Sequence, residues 1–364
     1  MGQQTDGLQA LVTDGDRPGF LDCHVRNNTV PVVTARVQRG NRSQLGPWQL
    51  NPSKRRRFYN RIMTASTRVD EFEELRPHLL AVAYRLTGTV ADAEDVVQDA
   101  WLRWERAKPG EIADLRAWLT TVVSRLSLDR LRSAAHRRET YVGEWLPEPV
   151  VTGFDGNDPL AAVVADEDAR FAAMVVLERL TPDQRVAFVL HDGFAVPFTE
   201  IASVLGVSDA TARQLASRAR RSVASAPEPV ADDTHNELVG SLMAALAAGD
   251  MKAVVRLLHP DITFTGDSNR MAPTAARVIH GPDKVARFLF GLANRYGPNF
   301  LATAQLALVN GQLGSYTPGA PADGGYPAMA PRVTAMTVRD EKIGAIWDVA
   351  NPDKLSGSPM GRSR

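Results

Sequence analysis

Residues 198–221, FTEIASVLGVSDATARQLASRARR, restrict the fold of this chain more than any other stretch. Ile201 and Leu205 are apolar about one helical turn apart, and Val207, Ala212 and Leu215 continue the pattern beyond Gly206. Ala202 is small where two helices would cross closely. Gly206 accepts the positive φ of a tight turn, and Ser208 suits the N-cap of the following helix. The pattern predicts a helix-turn-helix.

The second of these helices carries Thr211, Arg213, Gln214, Ser217, Arg218, Arg220 and Arg221, opposed by Asp209. Arginine chelates guanine and glutamine chelates adenine in the major groove, and surplus arginines neutralise phosphates. Ser208, Thr211, Arg213, Gln214, Ser217, Arg218 and Arg221 are the candidate DNA-binding set. The bland alternative, a solvated basic helix, requires the glycine, the small residue and the apolar positions to coincide by chance. Acidic and basic residues balance at 42 each, so nucleic-acid contact has to come from such local clusters.

At 364 residues the chain has room for two or three domains. Residues 1–65 read as a leader without sustained periodicity, with VPVVTARV as a short strand. The basic run Lys54, Arg55, Arg56, Arg57 and Arg61 is an arm for nucleic acid or part of a disordered leader, the reading favoured here. Met63 is an alternative start, because the helical pattern begins just after it. Cys23 is the single cysteine, which excludes an internal disulfide and fits a reducing cytosol. No apolar run has membrane-spanning length and no signal-peptide core opens the chain, so the expected location is cytoplasmic.

Phe72, Leu75, Leu79, Val82, Ala83 and Leu86 trace one helix face. TGTVADAED then places acidic residues at the next helix start, where the dipole favours them. That helix has an apolar stripe of Val96, Val97, Ala100, Trp101 and Trp104, with Asp95, Gln98 and Asp99 on its flank as a docking edge or a solvated side. AKPGEIAD is a loop, and Asp114 caps a long helix through Leu126. Its end carries Arg125, Arg130, Arg132, His136, Arg137 and Arg138, more cations than a helix C-terminus needs, so Arg125, Arg130 and Arg132 are candidate phosphate contacts.

Residues 139–160 read as a linker, broken by prolines and glycines, with Trp145, Leu146 and Pro147 expected to pack on a neighbouring domain. Helix resumes over 160–180, and Thr181-Pro182-Asp183-Gln184 is a capping box. These segments predict two all-α domains, 66–138 and 161–226. After the linker PEPVADD, residues 235–355 read as helices followed by strands, HPDITFTGD, VIHG, LATAQLALVN, GQLGSYTPG, RVTAMTVRD and EKIGAIWDVAN. Asn-Gly and Asp-Glu turns join the last of these, giving an α+β domain with an antiparallel sheet.

The order AEDVVQDAWLRW, RAWLTTVVSRLSLDRLRS, LTPDQRVAFVLHDGF and helix-turn-helix resembles the extracytoplasmic-function RNA polymerase sigma factors over residues 69–225. TYVGEWLPEPVV and the closing NPDKL resemble the subgroup with a fused SnoaL-like domain, a curved sheet around a cone-shaped pocket. The resemblance implies that Asp95, Gln98 and Asp99 dock on the β′ clamp helices of the polymerase core, whose β subunit is a further partner. It implies that loop 108–114 and the helix after it open and read the upstream-melted promoter element, by holding an unpaired base out of the stack. This loop has no aromatic residue, although Trp118 is near. It implies too that the helix from Ser208 to Arg221 reads the farther element.

Trp145, Leu146, Pro147, Asn351, Pro352, Asp353 and Lys354 are then regulatory candidates. Asn351 and Asp353 would bond backbone groups, and Lys354 an acidic partner. Relatives carry a glycine-rich turn where this chain has Asp267-Ser268-Asn269-Arg270. His259, Asp261, Asp267, His280 and Asp348 are the acid–base candidates of the C-terminal domain, but their spacing does not require catalysis. The expected protein is a non-enzymatic promoter-specificity subunit tuned in cis by its C-terminal domain. It needs no cofactor and no metal, and a small ligand in the C-terminal pocket is a candidate partner. The alternatives are a ligand-sensing repressor or activator, which leaves residues 69–135 unexplained, and a cyclase-like enzyme with a DNA-binding head.

Overall fold

The computed structural model describes residues 11–13, 22–24, 52–108, 110, 112–138, 141–154, 159–166, 169–224 and 230–355. The chain divides into two compact units, Met1–Glu74 and Leu75–Arg364. In the first, strands β1 (Leu11–Thr13) and β2 (Asp22–His24) pair antiparallel, with Val12 opposite Cys23. Helix α1 (Pro52–Thr87) begins in this unit, ahead of Met63, so the basic run at 54–61 lies on a helix rather than in an unstructured leader. The strand expected at VPVVTARV lies outside the described residues.

The second unit opens with the end of α1, then α2 (Val90–Arg106) and α3 (Leu115–Arg138). Leu79, Val82 and Leu86 of α1, Val96, Val97 and Ala100 of α2, and Leu119 and Val123 of α3 are all buried. The expected caps are present. Thr89 accepts the Asp92 N–H at the start of α2, and Asp114 accepts the Ala117 N–H at 3.0 Å at the start of α3.

The helix expected over 160–180 is broken. A 3-10 turn (Pro159–Val163) is followed by an irregular stretch, and α4 spans Phe171–Leu177. Tertiary contacts override local propensity here: the Ala169 carbonyl accepts the Asn310 side chain at 2.8 Å, and Asp166 reaches Arg85 at 2.8 Å. Helix α5 (Pro182–Phe188) opens on the full Thr181–Gln184 capping box and ends in a π turn (Val189–Gly193). Helix α6 (Phe198–Leu205) stops at Gly206, φ +69°, and α7 (Asp209–Val223) starts from Ser208, whose side chain accepts the Thr211 N–H. The helix-turn-helix is formed as expected.

The C-terminal part has α8 (Asp232–Ala247), α9 (Met251–Leu257), β4 (Leu258–Asp267), β5 (Ile279–His280), α10 (Pro282–Tyr296), α11 (Asn299–Ala302), β6 (Gln305–Val309), β7 (Gln312–Thr317), β8 (Arg332–Arg339) and β9 (Lys342–Val349). The run LATAQLALVN thus starts helical and turns to strand at Gln305. Both hairpins expected from Asn-Gly and Asp-Glu form, with positive φ at Asn310, Gly311, Asp340 and Glu341.

Two expectations are corrected. The sheet is mixed, because β4 runs parallel to β9, its partner from the far end of the domain. The linker is also part of the sheet: its Val151–Thr152 forms β3, antiparallel to β6, and the strand order is β3-β6-β7-β8-β9-β4-β5. One sheet face packs on α8, α9 and α10 through Phe264, Ile346, Met336 and Leu242. The other is covered by linker Leu146 and Val151 and by Phe171 of α4, against Ala307, Val333, Trp347 and Val349. This architecture, two helical domains followed by an α+β domain, is the expected multidomain arrangement.

Candidate nucleic-acid interface and the interdomain seam

Helix α7 buries Ala212, Ala216 and Ala219 and presents Thr211, Arg213, Gln214, Ser217, Arg218 and Arg221 to solvent. Ser208 is exposed at the cap, bonded to the Thr211 hydroxyl at 2.9 Å. Arg213 lies 5.3 Å over the Phe198 ring, a contact that orders its guanidinium without removing it from the surface. Arg220 differs, because it is held at 2.7 Å by Asp192. The small buried face lets α7 lie close on α5 while the long polar side chains remain outward.

The basic edge of α3 is occupied by protein. Arg125 donates to the Ser203 hydroxyl at 2.9 Å and carbonyl at 3.2 Å, and Arg132 pairs with Asp183 at 2.9 Å. Arg130 reaches across to α2, at 2.8 Å from Asp92 and 3.1 Å from Asp95. Composition suggested three phosphate contacts; the fold gives two bridges between helical domains and one brace. Asp95, Gln98 and Asp99 remain exposed on α2. The side chains of His136, Arg137 and Arg138 lie outside the described residues.

The same seam has a buried centre. Arg85, 2% exposed, pairs with Asp166, and Arg185, 1% exposed, pairs with Glu178 at 2.8 Å and donates to the Arg85 carbonyl at 2.8 Å. Phe194 sits 5.3 Å edge-on to His78 and beneath Arg85. Burial, then the neighbouring Arg116, lowers the His78 pKa to about 4. Gly88 is needed where it stands, because a Cβ there would lie 2.3 Å from the Glu178 carboxylate.

The linker docks on both sides. Glu148 accepts the Val90 N–H at 2.8 Å and bonds the Ala91 N–H, capping α2, while its own N–H donates to the Gly88 carbonyl. Burial raises the Glu148 pKa to about 7. On the other side Asp267, fully buried, accepts the Leu146 N–H at 2.8 Å, the Lys354 ammonium at 2.6 Å and the Tyr141 hydroxyl. Lys354 also donates to the Leu146 carbonyl and lies 3.4 Å over the Trp145 ring. Asn351 donates to Tyr141 at 2.9 Å and accepts the Asp353 N–H. Pro147 is buried, whereas Pro352 and Asp353 are exposed. Asn269 and Arg270 take positive φ without glycine, so this turn has a left-handed backbone built from non-glycine residues.

The acid–base candidates do not form one site: Asp261 and His280 line a cavity of about 660 Å³ with Trp145, Arg179 and Arg339, and the other three lie outside its lining. Asp267 holds the linker. Asp348 pairs with Arg332 at 3.1 Å beside a cavity of about 50 Å³ lined by Leu242, Phe300 and Met336. His259 and Asp261 both meet Arg339 at the sheet's edge, and His280 is exposed on β5. Sequence reasoning missed Asp267 as the receptor of the latch and missed Asn310 and Glu148 altogether. The proline-flanked glutamate in WLPEP was the available signal for Glu148.

Comparison with known proteins fits this geometry. Residues 72–137 match sigma-70 region 2 and residues 170–223 match sigma-70 region 4. The chain is 70% identical over 299 residues to ECF RNA polymerase sigma factor SigJ of Mycobacterium tuberculosis, covering 81% of this chain and 96% of that protein. The chain belongs to the extracytoplasmic-function RNA polymerase sigma factors. It is a promoter-recognising alternative sigma factor, which implies polymerase core and promoter DNA as partners. It is also 36% identical over 221 residues to the probable sigma factor SigI of the same species, covering 58% of this chain and 71% of that protein. The crystal structure of the M. tuberculosis extracytoplasmic function sigma factor SigJ superposes with a TM-score of 0.71 at 68% identity, covering 80% of this chain and 99% of that one. Among the described residues no helix is long and apolar enough to cross a membrane.

Proposed function

We propose that this sigma factor grips the polymerase through the exposed edge Asp95, Gln98 and Asp99, which suits the β′ clamp helices, and reads duplex promoter DNA through Arg213, Gln214, Arg218 and Arg221, steadied by Ser208, Thr211 and Ser217. The domains are 66–138, which docks and melts, 161–226, which reads the duplex, and 235–355, which regulates in cis. The observation that carries the reading is the contrast between the two basic surfaces: α7 is open, whereas Arg125 and Arg132 of α3 are bonded to the second helical domain.

The free protein is therefore closed, and promoter melting requires the α3 edge to be released to phosphates. The latch of Trp145, Leu146, Pro147, Asn351 and Lys354 on Asp267 holds the linker on the C-terminal domain and so keeps the closed state. Reconstitution with sigma-free core polymerase tests this: promoter-dependent initiation is expected from the full chain. Deleting residues after 226 is expected to change that output, and unchanged output refutes the cis reading.

A further inference from the structure

We infer that Asn310, at the tip of the β6–β7 hairpin, is a positioning residue that ties both DNA-reading domains and the linker between them to one point. This rests on the cis-regulatory reading above. Asn310 is fully buried, although hairpin turns normally face water. Its side-chain NH₂ donates at 2.8 Å to the Tyr84 hydroxyl of the first helical domain and at 2.8 Å to the Ala169 carbonyl ahead of α4. Its side-chain oxygen accepts the Val150 N–H of the linker at 3.0 Å, and its backbone N–H donates to the Val150 carbonyl at 2.8 Å. Both donor hydrogens and the side-chain oxygen are engaged.

The contacts have no local purpose. An Asn-Gly turn needs positive φ at both positions, here +51° and +79°, and glycine would serve at the first as well. The amide spends its bonding capacity on the linker and on two segments outside its own domain. Tyr84 passes the connection on, donating at 2.8 Å to the Glu148 carbonyl, whose carboxylate caps α2. One residue of the C-terminal domain therefore senses the placement of the first helical domain through α1, the linker and the duplex-reading domain together. If either reading domain moves, buried polar groups lose their partners, so the three segments release cooperatively.

The test uses the full chain. Asn310→Gly keeps the turn and deletes all three side-chain bonds. Asn310→Asp keeps the acceptor for Val150 and removes the donors to Tyr84 and Ala169. Dyes on Glu94→Cys and Arg179→Cys, both exposed positions, in a Cys23→Ser background, report the separation of the two helical domains. The unsubstituted position 310 is expected to give one distance population, and Asn310→Gly and Asn310→Asp a second, longer one. With limiting core polymerase, initiation is expected to rise by at least about ten-fold, the factor that corresponds to losing a single hydrogen bond of ordinary net strength. A merely structural defect lowers initiation instead, so the sign separates the two roles.

If Asn310→Gly does not fold, Asn310→Asp and Tyr84→Phe carry the test in the same direction. Distances and initiation unchanged in these variants, or initiation lowered, overturn the proposal. If deletion after residue 226 also has no effect, the cis-regulatory reading fails with it; if the deletion acts and the Asn310 variants do not, this inference alone fails.

Discussion

Replacing Asp267 with asparagine tests the latch most directly. The side chain is the same size, but the carboxylate that accepts Lys354 Nζ, the Leu146 N–H and the Tyr141 hydroxyl becomes neutral. Lys354 is 5% exposed and keeps its contacts to the Leu146 carbonyl and the Trp145 face. Removing one partner of a buried ion pair costs about 3–5 kcal/mol, because the survivor loses the counter-charge that offset its desolvation. Detachment of residues 141–152 from the sheet should then become about two to four orders of magnitude more frequent. Amide hydrogen exchange reads this opening, with the Leu146 N–H as reporter. The double variant Asp267→Asn with Lys354→Met carries no buried charge and should recover most of the loss, since a buried pair contributes little against an apolar substitute. Exchange in Asp267→Asn within ten-fold of the parent, or no recovery in the double variant, refutes the reasoning.

Three further outcomes follow from the same coordinates. Glu148 has its pKa raised when docked, so its contribution is full below the ordinary 4.5 and is lost as pH rises through about 7, whereas His78, lowered to about 4, contributes above 6.5 and loses it as pH falls. The two slopes oppose each other between pH 4.5 and 6.5. Interdomain distance should therefore vary little with pH in the parent, open on acidification in Glu148→Gln and open on alkalinisation in His78→Asn, as read by paired fluorophores. Arg213→Ala and Gln214→Ala should cost about 1–3 kcal/mol on the preferred promoter and relax base preference, whereas Arg218→Ala and Arg221→Ala should weaken all sequences alike and lower the salt slope, measured by anisotropy. Glu341→Gly should stabilise the C-terminal domain by about 1 kcal/mol in thermal unfolding, because a non-glycine residue at φ +55° is strained.

Much of the fold was legible because its signals are local. Gly206 and Ser208 fix the helix-turn-helix, Thr181–Gln184 fixes the start of α5, and Asn-Gly and Asp-Glu fix two hairpins, each within a few residues. The parallel pairing of β4 with β9 was not legible, since strand periodicity reveals a buried face but not the neighbour on it. The broken helix over 160–180 had adequate propensity and yielded to Asn310 and Arg85, residues far away in sequence.

The candidate site divides in the same way. Cations on α7 were recognisable because a helix that buries alanines turns its long side chains outward wherever it packs. Arg125, Arg130 and Arg132 have the same composition and a different fate, set by Ser203, Asp92, Asp95 and Asp183. Sequence by itself determined where the helix-turn-helix lies and which cations its second helix carries. Tertiary structure alone decided that Asp267 receives the tail, that Glu148 caps α2 and that Asn310 joins three segments. A carboxylate or amide is identical in every context until folding strips its water and leaves it one set of partners.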